Sequence, residues 1–209
     1  EECERIFHDI DGILVAPGFG ERGIEGKIIT VNHARENKIP FFGICLGMQC
    51  AVVEFARNVL GLKEAHSTEI APGNPDPVID LMEEQKTITN LGGTMRLGAY
   101  NCQIAPGSKV FDVYGSESIR ERHRHRYEFN DSYKERFNDA GMMTPGINPE
   151  SGLVEIVELE DHPWFIGTQY HPELKSTVLN PHPLFVHFVK AALTHKQASL
   201  EQSKIYLDN

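Results

Sequence analysis

The spacing of apolar residues in the first part of the chain predicts strands that alternate with helices. Ile24, Ile28 and Val31 recur at the spacing of an amphipathic helix, whereas residues 41–44 form an unbroken apolar run, typical of a buried strand. The predicted elements are, in order, the end of a helix at 2–8, a strand at 11–16, a helix at 24–37, a strand at 41–44 and a helix at 46–56. This order is typical of a βαβ unit and predicts a parallel sheet.

Beyond residue 61 the pattern becomes irregular and predicts an antiparallel excursion from that sheet. A loop rich in proline and glycine spans 71–77. The predicted elements after it are strands at 87–91 and 95–104, short helices at 116–122 and 131–140, a half-exposed strand at 153–159, a last strand at 164–170 and an amphipathic closing helix from 184 to about 195. We therefore predict an α/β fold over residues 1–196, with a mainly parallel central sheet, helices on both faces and a small antiparallel side element. A polar, frayed tail at 197–209 follows.

The composition is that of an ordinary globular protein and argues against several functional classes. The net charge of −10 disfavours nonspecific nucleic-acid binding, and no apolar run reaches the roughly 20 residues of a membrane span. There is no signal-peptide pattern, and the four cysteines have irregular spacing, so we expect no disulfide framework and a cytoplasmic location. The segment 121–126 (ERHRHR) is a local basic exception. Since it lacks interleaved aromatic residues, it favours a small anionic ligand over RNA.

Cys45 lies between two glycines at the junction of a predicted strand and a predicted helix. Gly43 and Gly47 complete the pattern Gly-x-Cys-x-Gly, the thiol counterpart of the Gly-x-Ser-x-Gly nucleophile elbow. The glycines permit a sharp turn that places the sulfur near the helix N-terminus, where the dipole favours a thiolate. The N–H of Leu46 is then free to face a developing oxyanion. A packed core thiol is the alternative, but the paired glycines favour a nucleophile.

The best candidate for a base follows the last predicted strand. Alternate residues of an extended segment project to one side, so His171 and Glu173 can meet while Pro172 faces away. A carboxylate in that position would hold the imidazole tautomer and stabilise the imidazolium. The alternative is a solvated His and Glu at a strand end, and the nearby elbow cysteine favours catalysis. None of the other histidines lies at a metal-ligand spacing from the cysteines, so we predict no metal site.

Two groups of motifs resemble known enzyme families. The segment 43–49 (GICLGMQ), followed by 169–173 (QYHPE), resembles the class I, triad-type glutamine amidotransferases, which hydrolyse the glutamine side-chain amide through a thioester. Further motifs look like the glutaminase domain of the CTP synthase family, namely PGFGERG at 17–23, STE at 67–69, LGGTMRLG at 91–98, ERHRHRYE at 121–128 and HPW at 162–164. The resemblance spans nearly the whole chain and implies a flavodoxin-like class I amidotransferase fold.

The resemblance implies roles for the matching positions. The implied roles are Cys45 as nucleophile, His171 as general base and acid, Glu173 as its orienting group, Gly18 and Leu46 as oxyanion-hole donors, Gly18, Leu46, Gly47, Met48, Gln49, Glu69, Arg126 and Tyr127 as glutamine-binding residues, and Phe19, Arg22, Thr94 and Arg96 as contacts of GTP, an allosteric activator. An amino acid needs a carboxylate for its ammonium group and an arginine for its carboxylate, which Glu69 and Arg126 would supply. An aromatic ring and two arginines suit a base and phosphates, and the alternative is that both arginines brace loops.

The resemblance also implies a larger enzyme. In the family, the glutaminase domain begins further upstream with another strand and helix, so we expect this chain to be part of a longer polypeptide. A synthase domain of that polypeptide would use ATP with Mg²⁺ to aminate UTP with ammonia released from L-glutamine, and the intact enzyme would be a homotetramer. Two alternatives stay open: a free-standing class I hydrolase of another γ-glutamyl amide, and a catalytically silent domain that contributes assembly contacts.

Overall fold

A computed structural model describes residues 2–81 and 95–207. Within these residues the strands are β1 (Ile13–Val15), β2 (Phe41–Ile44), β3 (His66–Ser67), β4 (Pro77–Asp80), β5 (Arg96–Ile104), β6 (Ser118–His125), β7 (Glu128–Phe129), β8 (Met142–Ile147), β9 (Val154–Leu159) and β10 (Phe165–Thr168). The helices are α1 (Glu2–Phe7), α2 (Ile24–Glu36), α3 (Leu46–Asn58), α4 (Lys109–Tyr114), α5 (Lys134–Asp139) and α6 (Pro183–Leu207), with 3₁₀ turns at Asp131–Tyr133 and Pro172–Leu174. The strand predicted at 87–91 lies outside the described residues.

The central sheet has seven strands in the order β1-β2-β10-β9-β8-β5-β6. Strand β2 pairs in parallel with β1 and with β10, whereas every other described pairing in this sheet is antiparallel. The α/β class is confirmed, but a mainly parallel sheet is wrong, because the antiparallel excursion continues the central sheet instead of leaving it. A small side sheet is also present, as predicted, but its strands β3-β4-β7 are not the ones expected, and β3 pairs with β4 in parallel.

Helices cover both faces of the central sheet, as predicted. Phe41 points into the core beneath α2 and α3, and its neighbour Phe42 points into the core that includes the start of α6. Both side chains are fully buried. The ring of Phe42 packs edge-on against Trp164 and Phe185, with centroids 5.7 and 5.5 Å away. The unbroken apolar run of β2 therefore reflects a strand that is buried on both sides.

Three local predictions were wrong, and each has a physical reason. The helix predicted at 116–122 is strand β6, whose inward side chains are polar, so its two-residue period carried no apolar signal. Strand β9 is fully buried instead of half-exposed, because the carboxylates of Glu155 and Glu158 are satisfied by internal hydrogen bonds. Helix α6 continues to Leu207, beyond the fraying predicted from residue 197. Within the described residues, no helix is both long and apolar enough to cross a membrane.

Candidate active site

The turn from β2 into α3 holds Cys45 in a strained conformation. Its φ and ψ are 52° and −102°, a region that non-glycine residues seldom adopt. The flanking glycines make room for this turn. A Cβ at Gly43 would lie 2.7 Å from the carbonyl of Gly47, and one at Gly47 would overlap the carbonyl oxygen of Val15. The turn is therefore a nucleophile elbow in geometry as well as in sequence.

The sulfur of Cys45 lies in a buried, carboxylate-rich environment. Burial is the main factor that raises the pKa of its thiol to about 12. The backbone N–H of Leu46 acts in the opposite direction, and the carboxylate of Glu173 reinforces burial. The start of the helix thus favours a thiolate, as expected, but desolvation outweighs this effect on the pKa. The thiol is neutral until a base removes its proton, while the N–H of Leu46 already faces the sulfur.

The candidate base lies beside the elbow because β10 is the parallel neighbour of β2. The N–H of Cys45 donates to the carbonyl of Thr168 at 2.7 Å, and His171 follows three residues later. Nδ1 of His171 is 2.6 Å from Oε1 of Glu173. Its Nε2 is buried without a hydrogen-bond partner in the described part of the chain. The sequence placed these side chains together by strand alternation, whereas the 3₁₀ turn Pro172–Leu174 in fact brings them together.

A small, partly open pocket lies beside the sulfur. It is lined by Gly18, Phe19, Cys45, Gln49, Glu69, His125, Arg126 and Tyr127. Glu69 and Arg126 thus face the same space, although 57 positions separate them in the printed numbering. Burial raises the pKa of the Glu69 carboxyl, while the N–H of Gly20 and the charge of Arg126 act against this. One pocket therefore joins a thiol, a carboxylate and a guanidinium.

The remaining predicted glutamine-binding residues differ in placement. Gln49 donates from Nε2 to the carbonyl of Tyr127 at 3.0 Å, which ties α3 to the wall of the pocket. Leu46 lines an adjacent apolar cavity. Met48 is fully buried and packs against Gly167, so its side chain belongs to the core. Gly47 lies closely against the carbonyl of Val15 and has no side chain, so it could contact a ligand only through its backbone.

The predicted nucleotide-effector residues differ in their exposure. Phe19 is 58% exposed on the rim of the pocket, and Arg22 is exposed. Arg96, by contrast, is buried, with nitrogens 3.0 Å from Glu128 and 2.7 Å from Glu155. Contrary to the expectation, the guanidinium of Arg96 is not available to phosphates, because it already donates to two internal carboxylates. Thr94 lies outside the described residues.

Two residues of the pocket region were not identified from the sequence. Gln169 places Nε2 3.7 Å from the sulfur of Cys45 and accepts from Gln49 at 3.2 Å. His125 lines the pocket at the end of β6. The alternation of Arg and His at 122–125 was the signal for His125, since a strand would direct both histidines to one side. Among the described residues, no group of three or more His, Cys, Asp or Glu is arranged to hold a metal ion.

Comparisons with known proteins agree with this geometry. The family model of class I glutamine amidotransferases matches residues 1–191. The chain therefore belongs to the class I glutamine amidotransferase family, as the elbow and the His-Pro-Glu segment predicted. A glutamine amidotransferase from Thermotoga maritima shares the fold, with a TM-score of 0.51 and 14% identity over 93% of this chain and 66% of that one.

Within that family the similarity is to CTP synthases. The CTP synthase of Cytophaga hutchinsonii is 69% identical over 182 residues, which are 87% of this chain and 34% of that protein. That of Christiangramia forsetii is 66% identical over 191 residues, 91% of this chain and 35% of that protein. The glutaminase domain of Trypanosoma brucei CTPS, solved with bound acivicin, has a TM-score of 0.86 and 37% identity over 92% of this chain and 75% of that one. The predicted resemblance to a CTP synthase glutaminase domain is confirmed, and this chain spans about a third of the length of these curated relatives.

Proposed function

We propose that this chain hydrolyses the side-chain amide of L-glutamine to glutamate and ammonia through a thioester on Cys45. The observation that carries the proposal is the single pocket shared by Cys45, Glu69 and Arg126. A carboxylate and a guanidinium at one end suit the ammonium and carboxylate of an α-amino acid. The thiol at the other end suits attack on a side-chain carbonyl. Membership of the amidotransferase family supports the same substrate.

The proposed reaction begins with proton transfer to His171. With Nδ1–H donating to Glu173 at 2.6 Å, Nε2 carries a lone pair and accepts the thiol proton. The sulfur attacks the amide carbon, and the N–H groups of Gly18 and Leu46 stabilise the oxyanion. The imidazolium then gives its proton to the leaving nitrogen, and ammonia departs from a thioester. Water, deprotonated by His171, hydrolyses the thioester and restores the thiol.

The fate of the ammonia is part of the proposal. Similarity to CTP synthases supports transfer to a synthase domain of the same polypeptide, which would aminate UTP at the expense of ATP with Mg²⁺. We further propose GTP as an allosteric activator, a homotetrameric enzyme and a cytoplasmic location. Phe19, exposed on the rim of the pocket, and the exposed Arg22 three residues later support an effector near the site. Arg96 is buried and bonded to Glu128 and Glu155, so it would not contact such an effector directly.

Replacing the nucleophile tests the proposal. In the full-length polypeptide, Cys45→Ala should abolish glutamine hydrolysis and glutamine-dependent CTP formation, because the thioester cannot form. CTP formation from added ammonia should persist, since it bypasses this site. Cys50→Ala is the matched control, because Cys50 is also a buried thiol but does not line the pocket of Cys45, Glu69 and Arg126.

Three results would redirect the proposal. Glutamine hydrolysis that persists in Cys45→Ala would refute the nucleophile. Hydrolysis of glutamine without any CTP formation in the intact polypeptide would favour a free-standing hydrolase. Failure of a glutamine-analogue electrophile to label Cys45, measured by intact mass, would favour a silent assembly domain.

A further inference from the structure

The proposed substrate-binding residues Arg126 and Tyr127 form the whole connection between two strands that belong to different sheets. Strand β6, in the seven-stranded sheet, ends at His125, and β7, in the three-stranded sheet, begins at Glu128. A two-residue connection has few backbone torsions, so the orientation of its side chains depends on how its two ends are held.

The two ends of this connection are joined by a side-chain pair. Nε2 of His125 is 2.8 Å from Oε1 of Glu128, and both side chains are almost fully buried. Burial lowers the pKa of His125, with Glu128 acting against this, so the ring is neutral and donates its Nε2–H to the carboxylate. Arg96 donates to the same oxygen at 3.0 Å. The connection is thus closed by a charge-assisted hydrogen bond in a region shielded from water.

The far side of the connection is held from α3. Nε2 of Gln49 donates to the carbonyl of Tyr127 at 3.0 Å. This bond holds the connection at Tyr127, while at the other end the ladder with β5 sets His125 opposite Arg96. Because Arg126 is bonded directly to His125, loss of the His125–Glu128 pair should change the orientation of Arg126 more than that of Tyr127.

The pair carries a cost that a purely structural contact would avoid. Nδ1 of His125 and Oε2 of Glu128 are both buried without a hydrogen-bond partner in the described part of the chain. Unsatisfied polar atoms of this kind destabilise a fold, and well-packed apolar side chains of similar size would be more favourable. His125 lines the pocket, so we attribute the presence of this costly pair to its effect on the geometry of the pocket.

We infer that the His125–Glu128 pair is a positioning device that sets the Arg126–Tyr127 connection for binding the α-carboxylate of the substrate. The inference rests on the proposed function, in which Arg126 binds that carboxylate. His125 and Glu128 act through Arg126, and neither takes part in the chemistry at Cys45. Loss of the pair should therefore raise KM for glutamine and leave kcat nearly unchanged.

The test uses glutamine hydrolysis by the full-length polypeptide. His125→Ala removes the donor and should raise KM about tenfold, with kcat within about threefold of the parent. His125→Gln places an amide N–H where Nε2–H was and should restore KM to within about twofold. Glu128→Gln keeps the side-chain shape without its charge and should raise KM about fivefold, which provides a second test if His125→Ala fails to fold.

A double-mutant cycle shows whether the effect passes through Arg126. In an Arg126→Ala background, His125→Ala should lower kcat/KM by less than about twofold, because the group it positions is already gone. Glu54→Gln is the control for loss of a buried carboxylate. Glu54 is fully buried and bound by Arg35 away from the pocket, so this variant should lower stability without raising KM.

The outcomes separate the inference from the function on which it rests. If Arg126→Ala leaves KM unchanged, the assignment of the substrate carboxylate is wrong. If Arg126→Ala raises KM but His125→Ala and Glu128→Gln do not, the positioning inference alone is wrong. Full additivity in the cycle would also overturn the inference, because the effect would then not pass through Arg126. An effect confined to kcat would overturn it as well, since the charge of Glu128 would then act on the pKa of the Cys45 thiol.

Discussion

Replacing Gly47 by alanine should damage both stability and activity, because no space exists for a methyl group at this position. The added Cβ would overlap the carbonyl oxygen of Val15 and lie 3.0 Å from its carbonyl carbon. Val15 pairs with Gly43 in the parallel register of β1 and β2, so the obstacle is backbone fixed in the sheet. To restore ordinary contact, the first turn of α3 must move away from β1 by about 1 Å.

The size of both effects follows from that displacement. Overpacking of a rigid core costs about 1–3 kcal/mol of the free energy of unfolding. The same movement shifts Cys45 and the N–H of Leu46, and a displacement of about 1 Å in a catalytic group costs about 100-fold in rate. We therefore expect a loss of about 2 kcal/mol in urea unfolding and labelling of Cys45 by a glutamine-analogue electrophile about 100-fold slower.

Gly26→Ala in α2 is the matched control. No atom lies within 4 Å of a Cβ built at Gly26, so alanine should raise the free energy of unfolding by about 0.5–1 kcal/mol through its helix propensity. Its labelling rate should equal that of the parent. If Gly47→Ala unfolds within about 0.5 kcal/mol of the parent and labels at the parent rate, the argument from close packing at the elbow is refuted.

Two further predictions concern the base and a buried histidine. Glu173→Gln should lower kcat for glutamine hydrolysis by about 10²–10⁴-fold with little change in KM, because the amide no longer fixes the tautomer of His171, and an unchanged kcat would contradict the orienting role. Burial lowers the pKa of His162 to about 4, and the backbone N–H of Trp164 donates to its Nδ1 at 3.2 Å. The unfolded chain takes up this proton near pH 6.5 and the folded chain near pH 4, so the free energy of unfolding should fall by about 2 kcal/mol between pH 7 and pH 5. Urea unfolding of His162→Gln at both pH values should show a smaller fall, and an equal fall would show that other groups are responsible.

Local patterns were sufficient to predict the sharp turn at Cys45 and the contact between His171 and Glu173. Gly43 and Gly47 are needed because the turn at Cys45 leaves no room for a Cβ on either side, and this pattern spans only five residues. His171 and Glu173 are likewise neighbours, so their pairing needed no long-range information, although the 3₁₀ turn that joins them was not predicted. These elements depend on short-range sterics, which a sequence expresses directly.

The substrate-binding end of the pocket could not be derived in this way. Glu69 and Arg126 are far apart in sequence, and only the fold brings them to one pocket. Their pairing came from the family resemblance. The nature of β6 was missed for a related reason, because its inward side chains at Glu121, His123 and His125 are polar and are buried with hydrogen-bond partners outside the strand. A hydrophobic pattern cannot reveal a strand whose buried face is polar.

Strand β6 links the two halves of the site. The carbonyl of Arg122 accepts from the N–H of His171 at 2.8 Å, and three residues after His125 the chain reaches β7 through Arg126. Moving β6 by one residue along β5 would exchange its buried and exposed faces and would displace the proposed base and the proposed substrate arginine together. A shift of β6 therefore cannot change the position of His171 without also changing that of Arg126. Insertions are tolerable in the loop before this strand's ladder with β5, whereas a single insertion inside 118–125 would displace both the proposed base and the proposed substrate arginine.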